Sequence, residues 1–190
     1  MAGDLWLIRH GETEWSLSGA HTGRTDIPLT PAGEQRAVKV GQTLRGHKFA
    51  LVLSSPLQRA RRTCELAGFG EVMQIEPNLA EWDYGAYEGK STPDIQRERP
   101  GWSLFRDGPQ GGETIEDVAL RARAVISRAV TAGGDVALFA HGHILRILAA
   151  GWLELPPATA RFFFLEPAGT CILGHERETR VIVRWNLQCV

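Results

Sequence analysis

Lysine is nearly missing from this chain of 190 residues: it occurs only at 39, 48 and 90, and arginine carries the rest of the positive charge. Arginine is the better bidentate partner for a phosphate, although base composition in the coding sequence produces the same bias. Excess charge of either sign is also lacking. A formal net charge of −1 leaves no global field to favour nucleic acid or a membrane surface as partner. Cysteine is sparse and odd in number, at 64, 171 and 189, with no CxxC, which argues against a disulfide framework and for free thiols in a reducing compartment. No apolar run reaches membrane-spanning length and no basic amino-terminal segment leads into an apolar stretch, so a soluble cytoplasmic protein is the expectation. Internal repeats and low-complexity tracts are absent too.

What is present is a chain with 43% hydrophobic residues, enough to bury one substantial core over 1–190. Leu5 to Ile8 reads as a buried strand that delivers Arg9, His10 and Gly11 to its carboxyl end. That edge is where open α/β sheets bind ligands, and arginine beside histidine there suits an anion, phosphate above all. The segment from Glu12 to Leu29 has no sustained period and reads as a long loop. Thr30 as N-cap and Pro31 as first helical residue open a helix with Ala37, Val40, Gly41 and Leu44 on its apolar face. A strand from Ala50 to Leu53 leads into a helix beginning at Ser54 to Pro56. In its first turn Arg59 can lean back toward the strand ends. Arg61 and Arg62 read as solvated, and Cys64 as a packing residue.

From Glu76 to Gly112 the pattern loosens, with a short helical signal at Asp94 to Glu98. This stretch, 76–112, is expected to be a small lobe inserted over the site. Its GAYEGKS sequence, Gly85 to Ser91, is not a nucleotide P-loop, because the glycine spacing is one residue short and no strand precedes it. Thr114 and Asp117 form a capping-box start to a helix with Ile115, Val118, Ala119, Ala122, Ile126 and Ala129 as its stripe. Asp135 to Ala140 is a second buried strand, ending at His141 and Gly142, and Ile144 to Leu153 is a helix apolar nearly all round. His141 therefore sits at a helix amino terminus, a place that favours an anion. Two β-rich runs, Thr170 to His175 and Val181 to Trp185, close the chain as a hairpin-like sheet edge. The alternation of strands and helices predicts an α/β fold, a three-layer α/β/α sandwich on a mostly parallel sheet.

Four stretches in order resemble the histidine phosphatase superfamily, the phosphoglycerate mutase-like family: LIRHGET (7–13), SSPLQRARRT (54–63), LAEWDYGAYEG (79–89) and AHGH (140–143), with GET at 112–114. The resemblance implies that His10 is a phosphorylated nucleophile and that Arg9, Arg59 and His141 neutralise the phosphoryl oxygens. It implies that Glu81 is the proton donor and acceptor, and that Thr22 and Gly23 offer a hydroxyl and a close backbone N–H to phosphate. Leu79 and Trp82 beside Glu81 suggest the desolvation that helps a carboxyl group hold a proton. The sequences HGETEWSLSGAHTGRTDIPLT, EWDYGAYEG, FRDG (105–108) and FAHGHILR resemble a branch containing sedoheptulose bisphosphatase and bacterial acid phosphatases. Tyr84, Gly142 and Arg146 join the substrate-binding set on that ground. Arg146 reads either as a core-edge arginine paired with an acidic side chain or as a second phosphate contact.

The expected activity is hydrolysis of sugar phosphates or bisphosphates through a phosphohistidine, on a small phosphorylated molecule, with no cofactor and no metal. The His141–His143 pair has no carboxylate or cysteine at ligand spacing. Two other readings stand beside it. A phosphoglycerate mutase would need arginines to grip a carboxylate, for which Arg97, Arg99 and Arg106 are the only candidates in the short lobe. A catalytically silent binding module of the same fold would be expected to lack some of the histidines and arginines. Oligomeric state, with a homodimer as the open candidate, is not readable from the sequence.

Overall fold

The computed structural model describes residues 3–188. Its centre is a six-stranded sheet in the order β3-β2-β4-β1-β5-β6. Strands β1 (Leu5–Arg9), β2 (Leu51–Ser54), β3 (Met73–Ile75) and β4 (Val136–Ala140) run parallel. Strand β5 (Thr170–Glu176) is antiparallel to β1, and β6 (Thr179–Leu187) pairs antiparallel with β5. Successive strand residues point to opposite faces, so each central strand feeds two cores. Leu5, Leu7, Leu53, Val136 and Leu138 meet Val118, Val125, Leu145 and Leu148 of helices α6 (Ile115–Val130) and α7 (Gly142–Trp152). Ile8, Val52, Ala137 and Phe139 face the other way, onto Val40 and Cys64 of α2 (Pro31–Thr43) and α3 (Gln58–Leu66). The result is the three-layer sandwich that the alternation predicts.

Where the architecture departs from the sequence reading, the elements are short. Within 12–29 a five-residue helix, α1 (Glu14–Ser18), is capped by Thr13 and Ser16 and closed by Gly19 at φ 73°. Under two turns it cannot display a helical period. β3 has three residues and is just as silent. In the 76–112 stretch, α4 (Thr92–Glu98) and α5 (Leu104–Asp107) are accompanied by single 3₁₀ turns at Pro77–Leu79 and Gly85–Tyr87. Its buried Leu79, Trp82, Tyr84, Ile95 and Trp102 belong to the same core as α6 and α7.

Cys64 and Cys171 are buried and unpaired, and burial pushes both thiols up to about 12, which keeps them unreactive. Cys189 lies outside the described residues. Among those described, no helix is long and apolar enough to cross a membrane.

Candidate active site

Parallel pairing of β1 with β4 puts Arg9 opposite Ala140, so the residues that follow, His10 and His141, emerge side by side. The His10 N–H donates to the Ala140 carbonyl at 2.9 Å, and the two rings lie 5.1 Å apart between centroids. β2 adds Ser55 to the same edge through Ser55 N–H to Phe139 O at 2.9 Å.

The hydrogen bonds assign both tautomers. His10 Nδ1 lies 2.7 Å from Gly11 O, and a carbonyl only accepts, so Nδ1 carries the proton and Nε2 keeps its lone pair. Burial, then Arg59 and Arg9, hold its pKa well below the ordinary imidazole value. The bend after His10 is itself held, because Gly11 N–H donates to Thr63 Oγ1 at 3.0 Å and Thr63 in turn donates to Arg59 O. His141 is the opposite case. Its Nδ1 accepts from Arg59 Nε at 3.1 Å, so its proton sits on Nε2, 2.7 Å from Ser55 Oγ. Burial foremost, with Arg59 and His10, keeps this ring neutral as well. His141 thus offers an N–H donor where the sequence reading expected a positive charge.

The two guanidiniums differ in how they are committed. Arg59 is fully buried; besides His141, it donates to the carbonyls of Thr22, Gly23 and Thr25, each at 2.9 Å. Most of its donors therefore fasten the 22–25 loop. Arg9 donates to Leu165 O at 2.6 Å, while its Nε is buried with no partner among the described residues. Gly142 gives that guanidinium its space: a Cβ there would stand 3.4 Å from Arg9 Nε and Cζ.

Glu81 is placed by a device that the sequence reading did not contain. Its Oε1 accepts from Trp82 N and Ile144 N at 2.9 Å, and its Oε2 from His143 N at 3.0 Å. The N-cap position of α7 is His141, whose side chain makes no cap bond. The anion that this helix terminus meets is the Glu81 carboxylate, brought from 60 residues away, and not left against apolar groups alone. Arg121 of α6 secures the loop beneath it by donating to the Asn78 and Ala80 carbonyls at 2.8 Å while pairing with Glu113. Glu113 also accepts Asp83 N–H, and its carbonyl accepts Trp82 Nε1–H.

Gly23 departs from its expected role. Its N–H is taken by Glu88 Oε1 at 2.8 Å, which also accepts Thr25 N–H, so this amide is not turned toward the cavity. Position 23 also has no room for a side chain, since a Cβ there would lie 2.5 Å from Trp82 O. Thr22 does line the cavity, with its hydroxyl donating to Ala20 O. Tyr84 lines it too, its hydroxyl paired at 2.5 Å with Nδ1 of His143, a ring whose pKa burial holds well below normal. Among the described residues Arg146 pairs with no acidic side chain. It donates to Ala160 O and Arg161 O, lies 4.8 Å over the Phe105 ring, and burial lowers it to about 10.

These residues enclose a cavity of about 230 Å³ whose inner wall includes Arg9, His10, Glu81, Tyr84, Gly142 and Arg146. Arg59 and His141 stand directly behind that wall. Glu88, Glu113, Arg121 and Thr63 are the positioning residues that sequence reasoning passed over. Glu88, Glu113 and Thr63 lie in motifs and Arg121 lies on α6, but each has a partner remote in the chain. Among the described residues no group of three or more His, Cys, Asp or Glu side chains is arranged to hold a metal.

A neutral histidine with one free ring nitrogen, a buried arginine beside it and a carboxylate across the same small cavity define a site for phosphoryl transfer through histidine. The chain belongs to the histidine phosphatase superfamily (branch 1), whose family model matches residues 5–188. It is 38% identical to an acid phosphatase of Mycobacterium tuberculosis, over 93% of this chain and 88% of that one. Sedoheptulose 1,7-bisphosphatase of Saccharomyces cerevisiae is 36% identical, over 78% of this chain and 67% of the relative. A probable phosphoglycerate mutase of Photorhabdus laumondii is 32% identical over 83% and 78%. Among solved structures, the product of a Mycobacterium tuberculosis open reading frame superposes with a TM-score of 0.94 at 36% identity, over 99% of both chains.

Proposed function

We propose that this histidine phosphatase hydrolyses sugar phosphates or bisphosphates, with His10 as nucleophile. In this reading Nε2 attacks phosphorus while the bond from phosphorus to the ester oxygen breaks. Glu81, a carboxylate in the resting site, takes the proton of the phosphate monoanion as the ester binds and gives it to that oxygen. It then takes a proton from water, whose oxygen attacks the phosphohistidine; the P–N bond breaks, phosphate leaves with that proton, and both side chains return to their starting forms. Arg9 supplies the charge for the non-bridging oxygens, and the Nε2–H of His141 turns from Ser55 to join it. Arg59 acts on the same oxygens largely through the ring and the loop that it holds. Residues 76–112 serve as a lobe that carries Glu81 and Tyr84 over the phosphate, with Thr22, Tyr84, Gly142 and Arg146 around the substrate.

The observation that carries the reading is the pinned His10 ring, with Nδ1 on Gly11 O, sharing one cavity with the Glu81 carboxylate. Hydrolysis is favoured over mutase chemistry by the three lobe arginines. Arg97 pairs with Asp94, Arg99 donates to Tyr87 Oη, and Arg106 pairs with Asp107; none lines the cavity. The sugar class rests on relatives that bear such names, and the buried unpaired thiols support a cytoplasmic setting. The test is phosphate release from a panel of sugar mono- and bisphosphates by the parent and His10→Ala. Release by the parent and background release by the variant are expected. Interconversion of phosphoglycerates without net release would establish the mutase reading instead, and full activity in His10→Ala would remove the nucleophile.

A further inference from the structure

The cavity is chemically two-sided. Beside its polar groups the cavity is also lined by Trp15, Phe164 and the buried Leu165. Phe164 is the unusual member, because its side chain stands 65% exposed on a backbone that cannot withdraw it. Its carbonyl accepts Trp185 Nε1–H at 2.6 Å, and the carbonyl of Leu165 accepts from Arg9 at 2.6 Å. Three residues after Leu165, Ala168 N–H donates to His10 O at 2.9 Å, and the Gly169 carbonyl accepts Arg9 N–H at 3.1 Å. The segment that presents the ring is therefore tied directly to the residues that flank the nucleophile. Trp15 faces the cavity from α1, its ring edge packed where a Cβ on Gly89 would lie, at 3.1 Å. Phe164 meets no other aromatic ring among the described residues.

A single exposed phenylalanine is ordinary on a protein surface. One that lines a charged cavity, on a segment hydrogen-bonded to Arg9 and His10, is placed to meet whatever the phosphoryl group is attached to. Arg9 and His10 take the phosphate end of an ester, so the leaving group must project outward past Trp15 and Phe164.

We infer that Trp15 and Phe164 form a specificity wall that selects leaving groups presenting a flat apolar face, the C–H face of a sugar ring or an aryl ring, over short flexible ones. This rests on the hydrolase reading above and deepens it. Such a face stacks on an aromatic side chain and removes apolar surface from water, whereas an acyclic polyol gives the wall little to cover. The wall touches the part of the substrate that does not react, so its contribution belongs in KM and in kcat/KM.

The test measures phosphate release from glucose 6-phosphate, 4-nitrophenyl phosphate and glycerol 3-phosphate by the parent, Phe164→Ala, Phe164→Trp and Trp15→Phe. Phe164→Ala is expected to lower the ratio of kcat/KM for each ring ester to that for the acyclic ester by roughly tenfold, through KM. Phe164→Trp should restore the ratio. A fall confined to the sugar ester or to the aryl ester identifies which ring face the wall prefers, and either supports the wall. An unchanged ratio in both Phe164→Ala and Trp15→Phe overturns it, as does equal loss on all three esters. If the parent turns over none of the three, the hydrolase reading itself fails and takes the wall with it.

Discussion

Replacing Glu81 with glutamine changes almost nothing in shape, yet the structure makes it a costly substitution for two separable reasons. The first concerns stability. Both carboxylate oxygens are spoken for by backbone N–H groups, Oε1 by Trp82 and Ile144 and Oε2 by His143. A glutamine oriented to keep the two bonds at Oε1 turns its NH₂ toward the N–H of His143, so one charge-assisted bond is lost and two donors face each other. That loss is about 1.5–3 kcal/mol, and removing the negative charge from the α7 terminus adds up to about 1 kcal/mol. At about 3 kcal/mol in all, a chain of this size should melt roughly 6–12 °C lower.

The second reason is chemical. An amide can neither give a proton to the leaving oxygen nor take one from water, so turnover of sugar phosphates should fall roughly 10²- to 10⁴-fold. 4-Nitrophenyl phosphate separates the two half-reactions, because its leaving group departs without a proton. With that ester the variant should show a burst of nitrophenol, one equivalent per active site, followed by slow hydrolysis of the trapped phosphohistidine. Stopped-flow absorbance at a temperature well below the variant's melting point reads both phases. A variant with the parent's steady-state rate on both kinds of ester would remove Glu81 from the chemistry. A melting temperature within about one degree of the parent's would remove it from the helix cap.

Two further expectations follow from the buried side chains. Arg59→Met should leave the carbonyls of Thr22, Gly23 and Thr25 and the His141 Nδ1 without their donor, at about 1 kcal/mol for each acceptor that water does not reach. Urea unfolding should therefore report a loss of about 2–4 kcal/mol, and a change under about 0.5 kcal/mol would refute the role of Arg59 as the loop's anchor. His10, His141 and His143 are held neutral in the folded chain, by burial first, and regain an ordinary pKa of about 6.5 when it unfolds. The stability tied to them is present above that pH and is lost as the pH falls below it, because the unfolded chain then binds more protons. Each imidazole adds up to about 1.4 kcal/mol per pH unit to the slope. Phosphate-free melts between about pH 7 and pH 5 should show this decline, and a flat profile would contradict the neutral state of these rings.

How much of this was legible in the sequence depends on whether the signal was local. β1 and β4 announced themselves as apolar runs ending in Arg9-His10 and His141-Gly142, and their parallel pairing then brings the histidines together with nothing further required. The helices α2, α6 and α7 carried caps or stripes long enough to count. α1 and β3 did not, being five and three residues long. In the site, the residues proposed to carry the chemistry were singled out from motifs, but their hydrogen-bond partners were not readable there. Glu81 is buried beside Leu79 and Trp82 as expected, but the amides that hold its oxygens belong to a helix whose first turn is more than 60 residues away. Gly23 was expected to offer its N–H to phosphate, and that N–H is satisfied by Glu88, 65 residues along the chain. Arg121 was not singled out from the sequence, and its grip on the Asn78 and Ala80 carbonyls is set by how α6 docks. Periodicity reports which face of an element is buried. It carries no information about which distant amide a carboxylate will find.

The central claim concerns one atom, Nε2 of His10, because Nδ1 is already committed to the Gly11 carbonyl. The direct measurement is to quench the working enzyme into alkali, digest it, and locate the phosphorylated residue and ring position by mass spectrometry and phosphorus NMR. The account predicts a single phosphohistidine in the peptide containing His10, substituted at Nε2. Phosphate found on His141, on Nδ1 of His10, or on no residue under conditions of rapid turnover would contradict it.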